Sequence, residues 1–259
     1  MRIRLFSVAV ICAILAAGAR VMTVTNGQPD GNGHPYVGVM IQFIPSMPGF
    51  VTVCSGAALS PMRFLTAAHC ADPSLPVFVS YKSGPPFSIA GDFTPGTFQP
   101  HPNWCIGCGH GLPGFDTHDV AVVSLAAPRN PGAFAALPGA GLVDTLPMGT
   151  SVDIVGYGVQ GFVRGGGRPQ DVFLFTRYFA PSQLIQSHNV QSVEFIKMTA
   201  NPSKGTGGVC FGDSGGPDVL RGTDIVLAVN SYVTNGNCAG VTYSNRVDLA
   251  DILSFINGI

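Results

Sequence analysis

The chain has 259 residues with 13 basic and 14 acidic side chains, a net charge of −1; 46% of its residues are hydrophobic and only 10% charged. This balance excludes a disordered, charge-rich tail protein and gives no electrostatic basis for binding nucleic acid or an anionic membrane surface. The 34 glycines and 21 prolines follow no fixed period, so they read as turns between many short elements rather than as collagen or a linker.

At the N-terminus, Arg2 and Arg4 precede a run from Leu5 to Ala17 that is apolar apart from Ser7, and Ala17-Gly18-Ala19 supplies the small residues of a signal-peptidase site. Residues 1–19 are expected to be a secretory signal peptide. The run falls short of the ~20 apolar residues of a membrane span, so no stable membrane anchor is expected. Cys12 leaves with the signal, and the seven cysteines become six, an even number that can pair in an oxidising, extracellular compartment.

Along the mature chain, β-type runs rich in Val, Ile, Phe and Tyr recur between turn residues: 36–43, 77–81, 120–125, 152–157, 172–178 and 225–233. Helical periodicity is clear only at the end, where Val247, Leu249, Ile252, Leu253 and Ile256 share one face before Gly258. The expectation is an all-β chain of barrel or sandwich type, with the Pro/Gly/Ala-rich stretch 126–149 connecting two halves.

Three segments place reactive side chains among small or turn-forming residues: Thr66-Ala67-Ala68-His69-Cys70, His118-Asp119-Val120-Ala121-Val122-Val123-Ser124-Leu125 and Gly212-Asp213-Ser214-Gly215-Gly216-Pro217. A serine hydroxyl is a poor nucleophile near neutral pH and needs a base, and the base needs a carboxylate to fix its tautomer. Asp119 heads an apolar strand, where an unpaired carboxylate is costly, so it is expected to have a partner such as His69. Asp116 and His118 read as solvated loop residues. Glu194 is the single glutamate, and no cluster of acidic loop residues suggests calcium.

In this order and spacing, TAAHC, DVAVVSL and GDSGGP resemble the trypsin/chymotrypsin-like serine proteases over roughly residues 24–257. The resemblance implies two packed six-stranded antiparallel β-barrels of the chymotrypsin type, the first about 24–130 and the second about 140–246, with a C-terminal helix at about 247–257. It makes residues 20–23 a short propeptide and 24–259 the protease domain. By carry-over Ser214 is the nucleophile, His69 the general base and then acid, and Asp119 the orienting carboxylate, with the backbone N–H groups of Gly212 and Ser214 forming the oxyanion hole. Cys54 and Cys70 resemble the bridge beside the base, and Cys210 and Cys238 the bridge between nucleophile loop and pocket wall. Cys105 and Cys108 fall outside the family pattern: a local disulfide is favoured, with zinc held by His101, Cys105, Cys108 and His110 the alternative.

The resemblance also makes Gly208, Val209, Ser231, Tyr232 and Val233 the substrate pocket. Trypsin-type members carry an acidic residue six places before the nucleophile, where this chain has Gly208, and Val233 resembles the branched residue that narrows elastase-like pockets. Small or aliphatic substrate side chains are therefore expected. Family members pair a freshly cleaved N-terminus with the aspartate before the nucleophile, here Asp213. Val24-Thr25-Asn26-Gly27 fits that role, yet Thr23 precedes Val24 and the nearest basic residue is Arg20, before Val21. Cleavage by another protease, a terminus at Val21, or another partner for Asp213 all remain open. The implied protein is a secreted, monomeric endopeptidase without cofactor or metal, whose partners are protein or peptide substrates and protease inhibitors. The alternative is a catalytically silent binding or signalling protein of the same fold.

Overall fold

The computed structural model describes residue 24 and residues 27–109, 116–163, 170–187 and 192–259. The expected signal peptide and propeptide, Val21, Thr25, Asn26 and His110 lie outside the described residues. A short strand β1 (Gln28–Pro29) leads to the first barrel, formed by β2 (Val37–Phe43), β3 (Val51–Ser60), β4 (Arg63–Thr66), β5 (Val77–Ser80), β6 (Thr94–Pro100) and β7 (Ala121–Leu125), with a one-turn helix α1 (Ile89–Asp92) between β5 and β6. Its order is β2-β3-β4-β7-β6-β5, all antiparallel, closed by the pairing of β2 with β5. After α2 (Leu142–Thr145) come β8 (Ser151–Gly156), the small pair β9 (Gly161–Val163) and β10 (Gln170–Val172), then β11 (Tyr178–Gln186), β12 (Phe195–Ala200), β13 (Pro217–Leu220), β14 (Val226–Val233), β15 (Gly240–Arg246) and the helix α3 (Ala250–Asn257). The second barrel runs β11-β12-β15-β14-β13-β8 and closes where β8 pairs with β11, with β1 added beside β11. The chain is thus two closed six-stranded antiparallel barrels with a C-terminal helix, the chymotrypsin-like fold.

Alternation along the strands explains the packing. In β2, Val37, Val39 and Ile41 face one way and Met40 the other, as a period of two requires. Met40 joins Phe64, Val77, Val79 and Phe98 inside the first barrel. The opposite face joins a core shared by both barrels and α3, with Tyr36, Leu65 and Val122 from the first barrel, Val155, Tyr157 and Val229 from the second, and Ile252 and Ile256 from the helix. Gly56 is required by this geometry: a Cβ there would lie 2.4 Å from both the Phe64 ring and the Leu65 carbonyl oxygen.

Two sequence expectations are corrected. The run 172–178 is not one strand; β10 ends at Val172 and β11 begins at Tyr178. Between them the buried Gln160 side chain accepts the Leu174 N–H and donates to the Thr176 carbonyl, replacing ladder bonds, while Phe175 takes a φ of 52°. The C-terminal helix begins at Ala250 rather than at 247, because Val247 still bonds to Leu227 of the sheet and Asp248 is engaged by Arg246 and the Val143 N–H. Among the described residues no helix is long and apolar enough to cross a membrane.

Candidate active site

His69 and Asp119 are brought together by one strand pair. Thr66 at the end of β4 pairs with Ala121 at the start of β7, so the segments carrying His69 and Asp119 leave the sheet at the same place. Buried Ala67 and Ala68 lead into a single 3₁₀ turn, Ala68–Cys70, and the Cys54–Cys70 disulfide ties that turn back to β3. His69 Nδ1 lies 2.7 Å from Asp119 Oδ2, and the His69 backbone N–H donates to Oδ1 at 2.9 Å. Ser231 Oγ donates to the same Oδ2 at 2.5 Å. Asp119 is fully buried while the His69 ring is 29% exposed, so the pair is anchored inside and presents one edge outside.

The electrostatics follow from this burial. Desolvation works against the charged form of Asp119, but the His69 charge and the donors from His69 and Ser231 outweigh it and hold the carboxyl below its usual range. Burial likewise works against imidazolium at His69; the Asp119 carboxylate, with help from Asp116, overcomes it and raises the His69 pKa. An ionised acceptor at Nδ1 fixes the proton there and leaves the Nε2 lone pair free to take another.

Ser214 sits in a loop whose backbone is almost wholly committed. The N–H groups of Asp213, Gly215 and Gly216 donate to Cys210, Asn230 and Asp213 carbonyls at 3.0, 2.7 and 2.9 Å. Those of Gly212 and Ser214 have no acceptor among the described residues. Gly212 has a φ of 95° and Gly215 of 77°, conformations that suit glycine, and a Cβ on Gly215 would lie 2.1 Å from Thr66 Oγ1. Ser214 Oγ itself makes no hydrogen bond among the described residues. The loop is docked onto the first barrel by Ser55, whose N–H donates to the Ser214 carbonyl at 2.8 Å and whose Oγ donates to the Gly212 carbonyl at 2.9 Å while accepting the Tyr157 N–H. Asn230 Nδ2 donates to the Asp213 carbonyl at 3.2 Å. Neither Ser55 nor Asn230 stands out in the sequence; only the hydroxyl of Ser55, next to the paired Cys54, gives a local hint.

Asp213 is fully buried, and burial pushes its pKa up to about 7 against the pull of two backbone donors, Gly158 N–H at 2.8 Å and Cys210 N–H at 2.9 Å. Gly158 makes room for it, since a Cβ there would lie 2.5 Å from the Asp213 carboxyl carbon. Val24 is buried in the core of the second barrel, beside Val143 and Val152 among others.

The expected pocket residues divide by location. A Cβ on Gly208 would meet the Ala200 side chain at 2.3 Å and Thr242 Cγ2 at 2.9 Å, so Ala200 and Thr242, neither singled out by the sequence, crowd this position. Val209 belongs to the barrel core, and Val233 packs beside the Cys210–Cys238 disulfide. Tyr232 stacks on Tyr243 with ring centroids 4.7 Å apart and meets Phe195 edge-on. Ser231 directs its hydroxyl to Asp119, a role its placement among pocket residues does not suggest.

Around Asp119 the loop differs from expectation. His118 is no solvated loop residue: it stacks on His101, and its N–H and ring are engaged by Glu194 and Asp251. Asp116 accepts the Gly107 N–H at 2.8 Å. Cys105 is bonded to Cys108, so neither sulfur is a thiolate ligand, and His101 Nδ1 accepts the Asn103 N–H. Cys105 and Thr117 exchange backbone hydrogen bonds, which joins the disulfide loop to the segment two residues before Asp119.

Comparison with known proteins agrees with this geometry. Solved structures superpose at 18–19% identity over 90% of this chain: HL collagenase with a TM-score of 0.67 over 98% of its own length, a protein named GrC at 0.66 over 97%, and human heparin binding protein at 0.61 over 95%. At such identity the likeness concerns the fold. The family described as Trypsin matches residues 25–256, nearly the whole described chain. With two barrels and the His69, Asp119 and Ser214 segments in family order, the chain belongs to the trypsin family of serine proteases.

Proposed function

We propose that the protein is a secreted serine endopeptidase that acts as a monomer and cleaves peptide bonds through an acyl-enzyme at Ser214. The observation that carries this reading is the His69–Asp119 pair at 2.7 Å beside a loop in which, of the N–H groups from 212 to 216, those of Gly212 and Ser214 have no acceptor among the described residues. In the first step Ser214 Oγ attacks the substrate carbonyl carbon and passes its proton to His69 Nε2. The carbonyl oxygen becomes an oxyanion that the two N–H groups stabilise. The C–N bond breaks, and His69 gives its proton to the departing amine. Water then attacks the acyl group with His69 again as base, releasing the carboxylic acid and restoring Ser214. Asp119 stays ionised throughout and holds the imidazole in its reactive tautomer. Because activity needs neutral His69 and its pKa is raised, the acid limb of the pH profile lies above the ordinary histidine value of about 6.5.

Cleavage after small or aliphatic residues is supported by the crowding of Gly208 by Ala200 and Thr242 and by Val233 beside the disulfide wall. An acidic side chain to pair with Arg or Lys is missing at 208. The paired cysteines, with the apolar N-terminal run, support secretion. The silent-protein alternative draws on Ser214 Oγ having no hydrogen bond among the described residues; catalytic hydrogen bonds often tighten only with substrate bound, so the endopeptidase is preferred. Polyanion binding, which the name of one structural neighbour describes, finds little support in a chain with net charge −1. A peptide panel varied at the residue before the scissile bond tests the reading. Ala and Val peptides should be cut faster than Arg or Phe peptides, and Ser214→Ala should abolish all cleavage; faster cutting after Arg would overturn the pocket assignment.

A further inference from the structure

If the protein is a peptidase, the aim of the Asp119 carboxylate matters, and it is set by the residue before it. His118 has a φ of 52°, a left-handed conformation that few non-glycine residues adopt. Its carbonyl accepts the Val120 N–H at 2.7 Å, which closes a tight turn with Asp119 at its apex.

That turn is clasped from outside its own barrel. The His118 N–H donates to Glu194 Oε2 at 2.7 Å, and Nδ1 lies 3.7 Å from Glu194 Oε1. Nε2 lies 3.1 Å from Asp251 Oδ2, and the ring stacks on His101 with centroids 4.8 Å apart. Glu194 immediately precedes β12 and its carbonyl accepts the Arg246 N–H at 2.7 Å, so it is fixed to the second barrel. Asp251 stands in the first turn of α3. A first-barrel loop is thus gripped by a second-barrel strand and by the C-terminal helix, and one jaw is the only glutamate in the chain.

We propose that His118 is a positioning residue: held between Glu194 and Asp251, it fixes the turn that aims Asp119 at His69, so that the docking of the two barrels is transmitted to the catalytic pair. His118 does not touch substrate and acts through Asp119. This inference rests on the peptidase reading for its kinetic consequence but not for its geometry.

The test is Glu194→Ala beside Glu194→Gln, whose amide oxygen still accepts the His118 N–H. In the alanine variant kcat should fall at least fivefold with KM within twofold, and the downfield proton resonance of the His69–Asp119 hydrogen bond should move; the glutamine variant should recover most of both. A fall below fivefold, a loss carried by KM, or an equal loss in both variants would overturn the proposal. Should Glu194→Ala fail to fold, Asp251→Ala removes the half-exposed jaw, and an unmoved resonance there would contradict the clasp. If the parent protein turns nothing over, the peptidase reading fails, while the resonance still judges the clasp.

Discussion

The two barrels have six strands each and close in the same way, yet they are filled differently. The strands of the first barrel, β2 to β7, carry one charged side chain, the half-buried Arg63, and its interior is Met40, Phe64, Val77, Val79, Phe98 and their neighbours, braced by the Cys54–Cys70 disulfide. The strands of the second bury Asp153, Asp218 and Arg246, and the loop between β12 and β13 adds Asp213. Apolar packing is non-directional and stiff, which suits a frame that sets His69 and Asp119 by strand register. Buried polar groups are costly unless satisfied, but once satisfied they fix direction, which suits a barrel that holds the Ser214 loop in one conformation. His69 and Asp119 come from the apolar barrel; Ser214 comes from the polar one.

The largest expected effect breaks the contribution of the first barrel. Asp119→Asn keeps the shape but lets His69 take the wrong tautomer, so kcat should fall on the order of 10⁴-fold with the fold unchanged by circular dichroism. A loss below tenfold would mean that the orientation of His69 does not depend on the Asp119 charge.

A smaller effect sharpens the contribution of the second. Asp213 has a raised folded pKa of about 7, so the folded state holds its proton more tightly than the unfolded chain does. Its contribution to stability is therefore greatest at low pH and declines as pH rises from about 4 to about 7, by at most ~4 kcal/mol. Asp218, whose pKa burial raises well above the usual value, acts with the same sign and adds to the decline above about pH 4. Asp119, with its lowered pKa, works the other way, contributing stability above about pH 4 that is lost as pH falls further. Asp213→Asn should flatten the decline between pH 4 and 7 in denaturant titrations of the uncleaved chain. Asp218→Asn should flatten the decline above about pH 4 in the same direction. If stability rises with pH across this window in the parent, the carboxyl of Asp213 has a charged partner in the protein as tested.

The segments carrying His69, Asp119 and Ser214 stand out in the sequence because each sets a reactive residue type against small neighbours, and the fold class was legible from the short β-branched and aromatic runs. Several strands were hidden for physical reasons. β3 carries Cys54, Ser55, Gly56, Ala57 and Ala58 because it packs against Phe64 and Leu65 at close range, and β6 contains Pro95 and Gly96, with a Cβ on Gly96 only 2.5 Å from Val123. The run 172–178 has strand composition, but the Gln160 side chain takes the place of a neighbouring strand. Long-range partners left no local trace: Ser231 reaches Asp119 across 112 positions, and Glu194 reaches His118 across 76. His118 reads as a loop residue until the second barrel is folded against it.

The central claim is that Ser214 is a nucleophile activated by a pair delivered from the other barrel. The most direct measurement is labelling of the purified protein with an organophosphate-type reagent, followed by peptide mapping. The account predicts one modified residue, Ser214, with labelling strongly slowed in Asp119→Asn and absent in Ser214→Ala. Modification at another residue, or no modification of the parent protein, would contradict it.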